Sequence, residues 1–273
     1  MAIITIARQV AALGDEIATA VAKKMNYQFV GRKEIEHRIV ELGFPESKLL
    51  KYDERKPGFF ASLAKDRDEY MDYLSTAVLE SASAGDTVLI GRGSYIILNE
   101  LPNLVSFRLV ANDNVRVERL MKEFNWNEKQ AHQRIEESDA NRVGFHKSFF
   151  NHENEEPTDY HMVINTAIFD VDAASNIIVE AVKNSITPEK EKAGKEKIKN
   201  LLLAQNLVNT LVFKYKLNIN FLHAVVIDNR IVLQGVADSS AIVEKAIVLS
   251  QKEVPDYKIE STISIVQDFR AYP

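Results

Sequence analysis

The stretch Ile3–Met25 decides the fold, and it runs IITIARQVAALG and then DEIATAVAKKM. Its first four residues form a β-branched run, which predicts a short buried strand. Ile17, Val21 and Met25 then recur at every fourth position, so they share one face of a helix. A strand, a loop and a helix in this order are typical of the start of a parallel α/β sheet.

The same alternation of strands and helices continues through the first two thirds of the chain. Apolar runs predict strands, and periodic charged segments between them predict helices. We therefore predict a three-layer α/β core, with a parallel sheet covered by helices on both faces. The predicted strands are Ile3–Ile6, Tyr27–Val30, Thr87–Ile90, Leu104–Val110 and His161–Ile164, and the helices between and after them are Asp15–Met25, Lys33–Leu42, Glu69–Ser83, Val115–Glu123, Glu128–Asp139 and Val171–Asn184.

The composition changes after residue 184. Residues 185–197 are rich in Lys and Glu, which indicates either an exposed linker or the solvated start of a helix. Beyond them the pattern follows the order αββαβ, which predicts a small α+β domain. We therefore predict a core domain at 1–184, a charged linker at 185–197 and a second domain at 198–273. The second domain's predicted elements are Ile198–Tyr215, Phe221–Asp228, Arg230–Val236, Ser239–Glu253 and Tyr257–Asp268.

Overall composition excludes several classes of protein. The chain has 273 residues, 46% of them hydrophobic, and no cysteine. Disulfide scaffolds, thiolate zinc sites, iron–sulfur clusters and cysteine nucleophiles are therefore excluded. With 34 basic and 39 acidic residues the formal net charge is −5, which argues against binding to bulk nucleic acid. No apolar run is long enough for a membrane helix, and the first residues do not resemble a secretory signal, so we expect a cytoplasmic protein without membrane partners.

Two turns follow predicted strands, where ligands bind in open α/β sheets. Residues 7–14 connect the first strand to a helix N-terminus, a geometry that binds phosphate, but the glycine-rich G-x-x-x-x-G-K-[ST] pattern is absent. An ordinary strand-to-helix connection therefore remains open for this segment. Gly91-Arg92-Gly93 follows the strand TVLI. It fits either a phosphate-binding arginine between permissive glycines or a turn with a surface salt bridge.

The stretch 134–142, which covers the end of a predicted helix and the residues just after it, carries Arg134, Asp139 and Arg142. This spacing suits a mobile clamp that closes over a phosphoryl group. Arg116 and Arg119, three residues apart on the preceding helix, share a face and extend the set. The alternative is a solvated charged helix.

In this order and spacing, the segments resemble the cytidylate kinase-like family within the nucleoside monophosphate kinases. The resemblance spans residues 1–184. It implies a P-loop-kinase-like fold with a helical lid, Mg-ATP as phosphoryl donor and CMP or dCMP as acceptor. Its carriers are ITIARQ at 4–9, YDER at 52–55, VLIGRGSYIIL at 88–98, VRVERL at 115–120, ESDANRVGF at 137–145 and DYHMVINT at 159–166.

Carried over residue by residue, the resemblance implies three groups of site residues. The departures lie in the first turn and after the second strand. Ala11, Ala12 and Leu13 replace the family's Gly-Ser-Gly, and Gly31 stands where an Asp usually precedes Arg32. We expect these apolar residues to narrow the phosphate cradle and to restrict its positive φ angles. The implied residues are Arg92, Arg134, Asp139 and Arg142 for catalysis, Arg8, Gln9, Gly14, Asp15, Arg116 and Asn165 for ATP, and Arg32, Asp53, Arg55 and Gly93 for the acceptor.

Three functions remain open on these patterns: an active nucleotide kinase, a nucleotide-responsive regulator without turnover, and an assembly protein that binds no nucleotide. The second domain resembles a BON domain through its αββαβ order and the segment VVIDNRIVLQGVAD at 225–238. That resemblance implies binding to another surface or a small ligand. We expect a homodimer, the commonest oligomer of soluble proteins.

Overall fold

The computed structural model describes residues 1–49, 52, 64–152 and 156–266, with the backbone alone for residues 64–66. The chain divides into two compact units, Met1–Lys195 and Glu196–Pro273. The predicted Asp53 and Arg55 lie outside the described residues.

The first unit is built on a five-stranded sheet in the order β2-β3-β1-β4-β5. All neighbouring strands pair in parallel, as the βα alternation predicts. The strands are β1 (Ile3–Arg8), β2 (Gln28–Val30), β3 (Thr87–Ile90), β4 (Leu104–Val110) and β5 (Met162–Asn165). Because β1 lies between β3 and β4, the segments that follow these three strands meet at one edge of the sheet.

Helices connect the strands of the first unit. They are α1 (Gly14–Met25), α2 (Arg32–Glu41), α3 (Glu46–Leu49), α4 (Ala64–Ser83), α5 (Ser94–Ile97), α6 (Asp113–Phe124), α7 (Glu128–Phe150) and α8 (Val171–Ser185), with a 3₁₀ turn at Pro157–Asp159. Helices α1 and α8 pack over the sheet and bury Ile17, Val21 and Ile178 in the main core. Helix α7 is continuous for 23 residues, so it extends beyond the predicted end at Asp139.

The predicted charged linker is helical over most of its length. Helix α9 runs from Pro188 to Asn209 and passes through the boundary between the two units. Of the two sequence interpretations, the start of a solvated helix therefore describes this segment. A π-helical stretch, Thr210–Lys214, follows α9.

The second unit has a four-stranded sheet of mixed direction. Strand β6 (Ile219–Ile227) is antiparallel to β7 (Arg230–Ala237), whereas β8 (Lys258–Ser261) and β9 (Ser264–Ile265) are parallel to β7. Helix α10 (Ser240–Glu253) supplies Ala246 to the core of this unit. The predicted final strand is thus two short strands, interrupted after Ser261.

Among the described residues, no helix is both long and apolar enough to cross a membrane.

Candidate phosphate-binding site

Two arginines of α6 donate hydrogen bonds to backbone carbonyls of the turn after β1. Arg116 donates from Nε to the carbonyl of Val10 at 3.0 Å, and Arg119 donates from Nη1 to the carbonyl of Ala11 at 2.9 Å. Arg119 also donates to the carbonyl of Thr166 at 2.6 Å. These bonds fix the carbonyl side of the turn against α6 and β5's end.

The backbone of the turn corrects one prediction. Ala11 and Leu13 both have φ of 57°, the left-handed conformation that their side chains were expected to restrict. Such a residue costs about 1–2 kcal/mol, so the surrounding contacts must impose it. Leu13 packs against the main core, and Ala11 packs beside Val117 of α6. Both side chains are therefore packed against other apolar side chains.

The amide side of the same turn has no protein partner in the described ranges. The amide of Gln9 donates to the carbonyl of Leu109 at 3.1 Å, and that of Ile17 donates to the carbonyl of Leu13 at 3.0 Å. Between them, the amides of residues 10–16 donate to no acceptor within residues 1–49, 52, 64–152 and 156–266. Free amides in a left-handed turn at a helix N-terminus form an anion cradle.

A second turn follows β3 at the same edge of the sheet. Gly91, Arg92 and Gly93 have φ angles of 79°, 55° and 65°, and the amide of Gly91 donates to the carbonyl of Ile6 at 3.1 Å. Arg92 is only 2% exposed. It bonds the carboxylate of Glu36 and donates to the carbonyl of Tyr52 at 2.9 Å.

Arg32 reaches the same cluster. Its Nε lies 2.6 Å from Oε1 of Glu36, the oxygen that also binds Arg92. Glu36 therefore connects Arg32 of α2 to the turn after β3, and a single carboxylate serves two guanidinium groups.

Arg8 spans the distance between the two turns. A Cβ on Gly14 would lie 2.5 Å from Cγ of Arg8, and a Cβ on Gly91 would clash with its Nη1. The side chain therefore runs across both glycines, from the start of α1 to the turn after β3. Within the described chain, no carboxylate oxygen lies within 4 Å of the Arg8 guanidinium.

Basic side chains at this edge of the sheet line one small cavity. Four arginines line it, from β1, the turn after β3, β4 and α7. The remaining walls are aromatic, small or apolar. The lining residues are Ile6, Ala7, Arg8, Gly91, Arg92, Gly93, Ser94, Tyr95, Arg108, Arg142 and His146.

Only part of the predicted lid motif faces the cavity. Arg142 lines it, bonds Ser138 and lies 3.8 Å from Asp139. Asp139 instead forms an ion pair with Arg116, whose Nη2 lies 2.8 and 2.7 Å from the two carboxylate oxygens. Arg134, two turns before Arg142, does not line the cavity.

Other predicted ligands have structural partners. The side chain of Gln9 accepts from the amide of Ala111 at 3.0 Å, and that of Asn165 accepts from the amide of Ala167 at 3.0 Å. Asp15 is exposed in the first turn of α1, where it accompanies Gly14 at the edge of the cradle. Arg116 is 1% exposed, and its donors are directed to protein oxygens. These contacts place Gln9, Asn165 and Arg116 in the scaffold of the site.

Sequence reasoning missed Arg108, Tyr95 and His146. Arg108 interrupts the apolar strand LVSFRLV, and that interruption was the one signal for it. The rings of Tyr95 and Tyr160 lie 4.7 Å apart between centroids, and burial raises the pKa of both phenols. These rings therefore stay neutral and form an apolar wall beside the guanidinium groups.

The parallel order of the five strands is that of a P-loop-kinase-like core, and the free amides after β1 and the arginine cavity make this edge a candidate phosphate site. A family model described as the cytidylate kinase-like family matches residues 3–168, more than half of the chain. The chain belongs to the cytidylate kinase-like family. No curated protein matches it.

Solved structures of other proteins are similar to about two thirds of this cytidylate kinase-like protein. An uncharacterized protein from Eubacterium ventriosum ATCC 27560 is 21% identical with a TM-score of 0.51, and the match covers 67% of this chain and 99% of that one. Shikimate kinase from Bacteroides thetaiotaomicron is 14% identical with a TM-score of 0.43, over 67% of this chain and 98% of that one. A gluconokinase from Sinorhizobium meliloti 1021 is 13% identical with a TM-score of 0.39, over 68% and 98%.

Proposed function

We propose that the first unit binds ATP through the turn after β1 and transfers its terminal phosphoryl group to CMP, dCMP or a similar monophosphate in the arginine cavity. The observation that carries this proposal is the row of free amides at residues 10–16, beside a cavity lined by four arginines. Phosphoryl transfer depends mostly on positioning and on stabilising the charge of the phosphoryl oxygens. Backbone amides and guanidinium groups supply both.

Three of the four arginines that line the cavity have distinct positions in this proposal. Arg8 lies between the cradle and the turn after β3, so it would lie between the phosphoryl group that moves and the phosphate of the acceptor and would contact both. Arg92 is held by Glu36, which fixes its guanidinium at the cavity wall. Arg142 enters from the helix that the family resemblance assigns as the lid. Asp139 acts through Arg116 and Arg142, as a positioning residue.

The residues beside the turn also suit Mg²⁺ bound together with ATP, because they offer carboxylates. The first turn of α1 offers the carboxylates of Asp15 and Glu16, with no lysine or hydroxyl among residues 14–16. Mg²⁺ is commonly bound by one or two carboxylates together with phosphate oxygens. When bound, it would neutralise charge on the triphosphate, and Asp15 and Glu16 are the residues that would hold it.

The test is ATP consumption by the full chain with CMP, dCMP and other monophosphates as acceptors. Arg142→Met should lower turnover about a hundredfold, because it removes a charged donor from the transferring group. Lys147→Met is the matched control, since it removes a positive charge from the exposed face of the same helix. Equal turnover in both variants, or no turnover with any acceptor, would contradict the proposal.

A nucleotide-responsive regulator without turnover is the second candidate. It is favoured by the acidic start of α1, where Asp15 and Glu16 stand beside the cradle without a lysine. A regulator of this kind predicts that ATP raises the midpoint temperature of unfolding of the full chain, although no acceptor is phosphorylated. At a hundred times its dissociation constant, a ligand adds about 2.7 kcal/mol to the free energy of unfolding. An unchanged midpoint with every nucleotide would leave only the assembly function.

A further inference from the structure

Arg108 is a buried cation in the middle of a strand. It lies on β4, beside Ala7 of β1 and Val163 of β5 in the register of the sheet. Its residue is 7% exposed, and its side chain lines the arginine cavity. The small side chain of Ala7, which also lines the cavity, leaves space for the guanidinium over β1.

The contacts of Arg108 within the described residues do not neutralise its charge. Its Nη1 donates to the phenol oxygen of Tyr160 at 3.4 Å, and its guanidinium carbon lies 5.6 Å from the centroid of that ring. Throughout the described residues, no carboxylate lies within 4 Å of it. Burial also raises the pKa of the Tyr160 phenol, so this partner stays neutral.

This lack of a carboxylate sets Arg108 apart from other buried arginines. Arg92 is paired with Glu36, and Arg116 is paired with Asp139 and Asp113. Buried charges are normally paired because desolvation of a lone charge is strongly unfavourable. A buried guanidinium that faces a cavity is therefore expected to meet its counter-charge on a ligand.

We infer that Arg108 is a substrate-binding residue that binds an oxygen of a phosphomonoester on the acceptor. The inference rests on the proposed function, because it assigns the acceptor's phosphate to the same cavity. Arg8 is the other lining arginine without a carboxylate within 4 Å in the described chain. Two such cations match a phosphomonoester, which carries nearly two negative charges at neutral pH. An acceptor with hydroxyl groups alone would leave both charges unbalanced.

The experiment uses inorganic phosphate as the probe and the full chain as the protein. Wild type should gain unfolding temperature with phosphate. Arg108→Met should bind phosphate about tenfold more weakly or worse, because it loses a charge-assisted hydrogen bond. In phosphate-free buffer the same variant should unfold at a higher temperature than wild type, since an unpaired buried cation has been removed. Lys147→Met, on the exposed face of α7, should keep the phosphate response.

Either of two results with Arg108→Met in the phosphate assay would overturn the inference. One is phosphate binding by Arg108→Met that equals that of wild type. The other is a lower unfolding temperature of Arg108→Met in phosphate-free buffer, which would assign Arg108 a structural role. Arg108→Lys separates charge from shape: it should keep part of the phosphate response that Arg108→Met loses, and an equal loss in both variants would also count against the inference.

Titration with ATP distinguishes this inference from the proposed function. If ATP does not bind while the phosphate response depends on Arg108, the proposed function fails, and Arg108 stands as a residue that binds a phosphate group. If ATP is consumed with CMP at the same rate and KM in wild type and Arg108→Met, the assignment of Arg108 fails and the proposed function stands.

Discussion

Two pairs of arginines at the same edge of the sheet differ in what they bind. Arg116 and Arg119 of α6 donate to protein oxygens: the carbonyls of the turn after β1, of Thr166 and the carboxylate of Asp139. Arg8 and Arg108 line the cavity, and in the described chain neither has a carboxylate within 4 Å. The first pair builds the shape of the turn, and the second pair is the one that we propose binds an anion.

The two roles depend on each other. Because Arg116 and Arg119 bind the carbonyl side of the turn, its amides face away from protein acceptors. The same contacts hold Ala11 and Leu13 in left-handed conformations that neither residue prefers. Removing an arginine should therefore have opposite consequences in the two pairs: loss of stability in the first, and loss of ligand binding in the second.

Arg116→Met should have the largest effect on stability. It leaves the carboxylate of Asp139 and the carbonyl of Val10 without their donor, at a position that is 1% exposed. Breaking such a pair should lower the free energy of unfolding by about 3 kcal/mol. Urea denaturation of the full chain measures it, with Arg108→Met beside it. If Arg116→Met loses less stability than Arg108→Met, the division of the arginines into two roles is wrong.

Arg119→Met should have an intermediate effect. It removes the hydrogen bonds to the carbonyls of Ala11 and Thr166, which should lower the free energy of unfolding by about 1–2 kcal/mol. The turn should also bind ATP less tightly, because its carbonyl side is no longer fixed. Lys122→Met, on the exposed face of the same helix, serves as the control for both measurements. Unchanged stability and ATP affinity would show that the turn holds its shape without α6.

Ala11→Gly should raise stability slightly. Relief of the left-handed backbone favours glycine by about 1–2 kcal/mol, and glycine's greater freedom in the unfolded chain offsets about 0.5–1 kcal/mol of this. The expected gain is about 0.5 kcal/mol. Ala20→Gly within α1 should instead lose about 1 kcal/mol, because a helix interior disfavours glycine. Destabilisation by both substitutions in urea would mean that position 11 is not strained.

The smallest effect on stability should be its dependence on pH. This dependence reports on His161 and not on the arginines, because arginines stay charged at all the pH values used. His161 accepts a hydrogen bond at Nδ1 from the amide of Ser106 at 2.9 Å. Burial, followed by the positive charge of Lys190, lowers its pKa in the folded protein. Between this lowered pKa and the unfolded value of about 6.5, the unfolded chain binds more protons, so stability falls as pH drops below about 6.5.

The measurement is the urea midpoint between pH 8 and pH 5, for wild type and His161→Gln. The variant should lose part of the dependence below pH 6.5. If wild type gains stability as pH falls through this range, or if His161→Gln changes nothing, the neutral state of His161 is not part of the fold's stability.

Much of the fold follows from the periodicity of the sequence. The β-branched start at Ile3–Ile6 and the i, i+4 spacing of Ile17 and Val21 predict β1 and α1, and the structure confirms the parallel α/β core. The backbone of the first turn was not predictable in this way. Intrinsic preference argues against positive φ at Ala11, and the opposing contacts come from α6, about a hundred residues away. The resemblance of the second unit to a BON domain stays a prediction.

The candidate site was predictable only in part. Arg8, Arg92 and Arg142 were marked by motifs, and the structure brings all three to one cavity. Asp139 was marked by the same reasoning, yet its carboxylate binds Arg116, because local spacing does not reveal which face of a long helix meets another helix. Arg108 belongs to no motif. It becomes conspicuous only when burial and the absence of a carboxylate nearby are known together.

Because the side chain of Arg8 runs across Gly14, the residue types that positions 8 and 14 can accept depend on each other. Gly14 lacks space for a methyl group because the Arg8 side chain occupies it, and its backbone does not itself demand glycine there. In relatives, a residue as small as alanine at position 8 should therefore permit alanine at position 14, whereas a long side chain at position 8 should be inherited together with glycine. Positions 8 and 14 should then covary among relatives.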